Sequence, residues 1–184
     1  VSMNDNRIAM EKELRFYAST SRDFAVVKTG ANNMMMKWKR GNSESYVNLF
    51  SFDNAGTFTS TKSQRVTVSS YGYTDLIKGP GNLYISAEQG YKRRDNVNKW
   101  GLLVSTLSTD GKDDVHVVDT ERMTQNVTDN TTSYYRSPSI TALNDSIYAI
   151  GYRGYSYDGF IETFKVETSG KITRLKSYEY DVNE

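Results

Sequence analysis

Three copies of one unit dominate this chain: YVNLFSFDNAGTF from Tyr46, WGLLVSTLSTDGK from Trp100 and GFIETFKVETSGKI from Gly159. Each opens on an aromatic or apolar cluster, alternates apolar with polar residues, and ends at a turn on Gly56, Gly111 or Gly170, spaced 55 and 59 residues apart. Alternation of period two is the pattern of a strand with one buried face. A second unit precedes each copy: NNMMMKWKRG ending at Gly41, GNLYISAEQG ending at Gly90 and DSIYAIGYRG ending at Gly154. Two units that recur in the same order at a period slightly above a four-stranded propeller blade make this a repeat protein.

Strand and turn signals give four strands per repeat. They are Asp23–Lys28, Asn33–Lys39, Tyr46–Phe52 and Thr57–Val68, then Tyr73–Lys78, Asn82–Glu88, Trp100–Leu107 and Lys112–Asp119. The third set is Arg136–Leu143, Ser146–Tyr152, Phe160–Glu167 and Lys171–Tyr180. Gly30-Ala31-Asn32, Gly79-Pro80-Gly81 and Leu143-Asn144-Asp145-Ser146 sit at the same hairpin position, where residues that tolerate positive φ are wanted. Segment 1–22 is expected to be an extra strand or short helix, with Glu13–Tyr17 reading like the fourth strand of a blade. A repeat domain, 23–184, divides at about 23–70, 71–133 and 134–184. The expected fold is all-β, a β-propeller-type repeat of about three four-stranded blades. A β-sandwich of hairpins is the alternative. Three blades do not close a ring, so association with other copies, further blades or an open stack of the repeats is expected.

Composition narrows the function classes. There is no cysteine, which removes disulfides, thiolate metal sites and cysteine nucleophiles together. Lys and Arg number 23 against 22 Asp and Glu, so no global field recruits nucleic acid or an anionic membrane. No window approaches the ~20 apolar residues of a membrane-spanning helix. The first residues, VSMNDNRIAMEKE, lack the apolar stretch of a secretory leader, so the chain is expected to be either cytoplasmic or a mature segment. Tyrosine is abundant at 14 residues and concentrates near blade boundaries, where its ring and hydroxyl suit sugar faces, protein interfaces or packing between blades.

The stretch SPSITALNDSIYAIGYRGYSYDGFIETFKVETSGKI, from Ser137 to Ile172, resembles the repeat of secreted prokaryotic, often archaeal, β-propeller proteins. DFAVVKTGANNMMMKWKRGNSESYVNLFSFDNAGTF follows that template more loosely, with Met34, Met35, Met36 and Trp38 in place of the usual strand residues. Trp100-Gly101-Leu102 replaces the Asp-Gly-Phe of the template in the second repeat. The resemblance implies an extracellular or cell-surface propeller and supplies no catalytic motif.

Candidate chemistry is sparse. His116 is the only histidine, so neither a triad nor a histidine metal set can be assembled around it. Asp110, Asp113 and Asp114 lack calcium-loop spacing. Ser108–Lys112 and Ser51–Phe58 approach the Asp-box turn of sialidase-type propellers without matching it in register. The stretch Tyr91–Lys99 reads as a loop that the other repeats do not share. Tyr91, Arg93, Arg94 and Trp100 in and beside it, with Tyr155, are the candidate ligand-binding residues, a basic and aromatic set suited to a phosphate or an acidic glycan. Sequons at Asn126, Asn130 and Asn144 are glycosylation candidates, in number no more than chance supplies. The expectation is a non-enzymatic extracellular or cell-surface protein that binds a glycan or a surface protein and self-associates, without catalytic residues, metal, cofactor, nucleic acid or membrane insertion. A structural subunit of a surface filament or sheath is the alternative, and a sialidase-like glycosidase the third reading.

Overall fold

The computed structural model describes residues 2–4, 7–9, 21–40, 44–55, 57–60, 63–68, 70–94, 97–109, 114–123, 136–153 and 159–180. Every regular element among them is a β-strand. β1 (Ser2–Asn4) and β2 (Arg7–Ala9) form a small hairpin. The first large sheet contains β3 (Ser21–Gly30), β4 (Asn33–Arg40), β5 (Glu44–Phe52), β6 (Phe58–Ser60) and β7 (Gln64–Val68). The second contains β8 (Ser70–Lys78), β9 (Leu83–Arg94), β10 (Val97–Thr109) and β11 (Val115–Arg122). The third contains β12 (Arg136–Ala142), β13 (Ile147–Arg153), β14 (Gly159–Val166) and β15 (Ile172–Glu179). All pairing is antiparallel between strands consecutive in the chain, except that β6 and β7 both pair with β5. Short turns therefore suffice to join them. Met34–Lys39, Leu83–Glu88 and Ile147–Tyr152 each fall on the second strand of their sheet, as their shared alternation and trailing glycine require.

The sheets stack in chain order. Alternation along β9 sends Leu83, Ile85 and Ala87 into a cluster with Tyr148, Ile150, Phe164 and Val166 of the third sheet, while Tyr84 points the other way to join Met35, Val47 and Leu49 of the first. Both faces of the second sheet are thus covered, and Leu83–Gly90 and Gly101–Leu107 are buried without interruption. That makes three layers rather than the two of a sandwich. The first strands run together, β8 packing on β3 on one side and on β12 on the other. No closed ring forms among the described residues.

Side chains also reach across to the next sheet's backbone. The Gln64 Oε1 accepts from the Val115 amide at 2.6 Å, the Asp75 carboxylate from the Ile140 amide at 2.7 Å, and the Asp119 carboxylate from the Ile172 amide at 2.9 Å. Such bonds satisfy strand-edge donors that would otherwise be left unpaired on burial. The turn glycine of the third repeat has a similar double role. Gly170 adopts φ +90° and its carbonyl accepts from the Thr106 hydroxyl at 2.6 Å, while a Cβ there would come within 2.5 Å of Val118. Only glycine meets both the backbone and the packing demand.

Two strand assignments need correction. Thr57–Val68 is broken into β6 and β7. The polar run Ser60-Thr61-Lys62-Ser63 interrupts the apolar alternation, and Asn48 on β5 bridges the break, donating to Ser60 Oγ at 3.3 Å and accepting from Ser63 Oγ at 2.9 Å. The Trp38 indole also donates to Asn48, at 2.7 Å. Second, Tyr91–Lys99 is largely strand: β9 and β10 continue their register without a bulge, pairing Tyr91 with Trp100, Arg93 with Asn98 and Arg94 with Val97. Backbone pairing does not depend on side-chain polarity, so a charged segment extends a hairpin as readily as an alternating one. The Glu13–Tyr17 strand lies outside the described residues.

Candidate binding cleft between the second and third sheets

Hairpin turns at matching positions of neighbouring sheets come to lie side by side, and between those of the second and third sheets they diverge to leave a cleft of about 860 Å³. One wall is the β8–β9 turn. Gly79 N donates to Leu83 O at 2.9 Å, Leu83 N to Pro80 O at 3.1 Å, and Gly81 takes φ +58°. A second wall is the β12–β13 turn, where Asn144 Oδ1 accepts from the amides of Ser146 at 3.0 Å and Ile147 at 2.9 Å. That asparagine turn holds its backbone without tertiary support. The third wall, Lys165–Thr168, enters the β14–β15 turn. It is tied to the second wall by the Val166 amide, which donates to Ser146 O at 2.9 Å.

Four charged residues border this space, Lys78, Lys165, Asp145 and Glu167, and since Phe164 and Val166 pack toward the second sheet, the exposed Lys165 between them points the other way. Among the described residues, Lys78, Lys165 and Asp145 make no ion pair. Burial lowers the Lys78 pKa, and its Nζ sits 4.3 Å from the centroid of the Tyr84 ring, a cation–π contact that holds the ammonium on the first-sheet side of β8 and turned from the cleft. Burial raises the Tyr148 pKa, with the Asp145 charge adding in the same direction, so the phenol stays a neutral hydrogen-bonding group. Fixed turns, two carboxylates and a phenol can together bind a hydroxyl-rich ligand by hydrogen bonds.

Of the residues singled out from sequence, only Asn144 lines the cleft, on its exposed rim. The Tyr91–Trp100 arm with Arg93 and Arg94 extends from the opposite end of the second sheet, since β9 begins at the cleft-side turn and runs away from it. Tyr155, Asn126 and Asn130 lie outside the described residues. His116 is exposed on β11 beside Asp114, 2.8 Å from its carboxylate. Sequence reasoning recognised the two turns as equivalent and passed over Lys78, Asp145, Tyr148 and Lys165. The available signal was that both turns are flanked by charged residues.

A tyrosine, a carboxylate and an arginine do meet elsewhere. The Tyr152 hydroxyl donates to Glu162 Oε1, and Arg174 Nη2 lies 2.9 Å from Glu162 Oε2. Burial raises the Glu162 pKa, opposed by the tyrosine hydrogen bond and by the arginine's charge and hydrogen bond. Phe160 stacks on Tyr152 at 5.6 Å, and both Tyr152 and Glu162 are buried in the third sheet, away from the cleft lining. Among the described residues no group of three or more His, Cys, Asp or Glu is placed to hold a metal ion, and no helix is long and apolar enough to cross a membrane.

No protein-family model, curated protein or solved structure matches this chain.

Proposed function

We propose that this chain is a non-enzymatic binding module of an extracellular or cell-surface protein, its sheets acting as propeller-type blades, and that it holds a glycan in the cleft between the second and third sheets. The observation that carries the reading is the cleft itself: about 860 Å³, walled by three hydrogen-bonded turns and bordered by Asp145, Glu167 and the Tyr148 phenol. Its size falls within the range of small-ligand sites. Asp145, Glu167, the Tyr148 phenol and the turn carbonyls suit sugar hydroxyls. Secretion and the blade reading rest on the resemblance of Ser137–Ile172 to secreted prokaryotic propeller repeats. The Tyr152–Glu162–Arg174 group holds the residue types that a tyrosine-nucleophile glycosidase uses, and its burial between sheets withholds it from a polysaccharide. That favours binding over hydrolysis.

Glycan-array binding of the wild type, of Asp145→Ala with Glu167→Ala, and of Arg93→Ala with Arg94→Ala tests this. The expected result is loss of glycan binding by about tenfold or more in the first pair only, one charge-assisted contact being worth roughly 1.5–3 kcal/mol. Loss in the arginine pair alone would move the site to the β9–β10 arm and overturn the cleft.

A further inference from the structure

The third sheet packs one face on the second sheet and leaves the other to solvent. Ile140, Ile150, Phe164 and Ile172 turn inward, so alternation turns their strand neighbours outward. The registers lay those neighbours out in rows across β13, β14 and β15: Gly151, Ile161 and Tyr178, then Ala149, Thr163 and Lys176, then Ile147, Lys165 and Thr173. Successive rows lie two residues apart along each strand, roughly 6.8 Å. Lys165, Lys176 and Thr173 are exposed, Ile161 is 43% exposed, and a Cβ on Gly151 would meet nothing within 4 Å.

Charge is segregated between the two faces. The carboxylates of these strands, Glu162 and Glu179, lie opposite the inward-facing Ile150 and Phe160. Along the strands the charged residues of the outward face are cations alone, among them Arg153, Lys165 and Lys176. Among the described residues, Lys165 and Lys176 make no ion pair. The whole chain balances 23 basic residues against 22 acidic ones, so this one-signed face comes from how the fold sorts them.

Two tyrosines stand on the same face. Tyr178 is 66% exposed beside Ile161. Tyr180 follows β15, its amide donating to Gly159 O at 2.9 Å, and a Cβ on Gly159 would come within 2.2 Å of its ring. The ring therefore leans across β14 in the space glycine leaves free, with the residue still 55% exposed. Two aromatic rings two residues apart beside unpaired cations offer apolar contact and positive charge together.

We propose that the outward face of the third sheet binds a linear carboxylated polysaccharide, its sugar rings on Tyr178 and Tyr180 and its carboxylates on Lys165 and Lys176. Charge complementarity selects an anionic occupant and excludes a second copy of this face, which would set cation against cation. The rest of the surface selects a glycan over an acidic protein: Ser139, Ala149 and the lysines are residue types depleted at protein interfaces, and Thr141, Thr163 and Thr173 offer hydroxyls for sugar hydroxyls. This is a second site, built without Asp145, Glu167 or Tyr148 of the cleft.

Affinity electrophoresis and titration calorimetry with polygalacturonate test it. The wild type is expected to bind, more weakly as salt is added. Lys165→Gln with Lys176→Gln, and separately Tyr178→Ala, change exposed residues and should leave circular dichroism unaltered while each weakens binding about fivefold. Tyr178→Phe, which keeps the ring, should bind close to wild type. A wild type that ignores polygalacturonate overturns the proposal. So does binding that Tyr178→Ala leaves intact, or equal binding of poly-glutamate, the signature of a face that takes acidic peptides. Asp145→Ala with Glu167→Ala separates the two sites: it should spare polygalacturonate binding, and loss there would put the acidic chain in the cleft and overturn the outward face. Uncharged glycans that still bind this cleft variant would sink the cleft reading alone.

Discussion

The second sheet meets its two neighbours by different chemistry. Toward the third sheet it presents Leu83, Ile85, Ala87, Leu102 and Val104, packed against Ile140, Ile150, Phe164, Val166 and Ile172. Toward the first sheet it presents Leu76, Tyr84 and Leu107 together with Ser86 and Glu88, and Glu88 receives Lys37 of β4 at 3.0 Å with both side chains sealed, at 0% and 1% exposure. Ser45 donates to the other Glu88 oxygen at 2.5 Å, and Lys37 donates to Ser86 at 3.1 Å. Apolar packing is non-directional and grows with the area removed from water. A buried ion pair costs desolvation on both partners, and its attraction offsets that cost only in one geometry. The apolar interface therefore supplies stabilisation, and the ionic one ties the first sheet to the second in a single register.

The largest expected effects come from cutting each interface at its centre. Phe164, fully buried and stacked on Tyr148 at 5.7 Å, should cost about 3–5 kcal/mol when replaced by alanine, read by urea unfolding. Lys37→Met removes a buried cationic partner of Glu88 and should also cost about 3–5 kcal/mol. The comparison turns on the second step. Adding Glu88→Leu to Lys37→Met should recover part of that loss, because part of the penalty lies in a buried carboxylate deprived of the Lys37 charge, whereas no partner change rescues Phe164→Ala. If the double variant stays as unstable as the single, the ion pair contributes net stability and the contrast between the interfaces is wrong.

A smaller effect is expected at Gly170, where the turn between β14 and β15 reaches back to Thr106 and Val118 of the second sheet. Gly170→Ala should cost roughly 1–3 kcal/mol, from positive φ and from the close approach to Val118. The smallest is a pH effect. Burial holds the folded-state pKa of Glu162 above the ordinary glutamate value. The folded protein then keeps this proton where the unfolded chain has lost it, so the contribution is present below the unfolded pKa and is lost as pH rises through the folded one. Stability measured from about pH 4 upward should fall more in the wild type than in Glu162→Gln. Identical slopes would mean that Arg174 and Tyr152 cancel the effect of burial.

How much was legible can be followed residue by residue. Period-two alternation and the turn glycines placed the second strands of all three sheets, because side-chain direction in a strand depends only on its position in the pleat. The same signal failed at Ser60–Ser63, where a break in β-pairing is bridged by Asn48 from another strand. It failed again at Arg93 and Arg94, whose charge read as loop while the backbone ladder continued through them. The candidate cleft was legible only as two similar turns. Lys78 and Lys165 are 87 positions apart in the chain, and nothing local states that one lines the same space as the other.

The sequence by itself determined an all-β chain of three similar units, with strand order, turn positions and the alternation of faces, since these follow from local pleat geometry and turn chemistry. The tertiary structure alone decided which alternate face meets which neighbour. It set Lys37 against Glu88, and it left Val26 and Gly151 open at opposite ends of the stack. A residue's neighbours across two sheets depend on how the sheets stack, and that depends on the burial of all their faces at once.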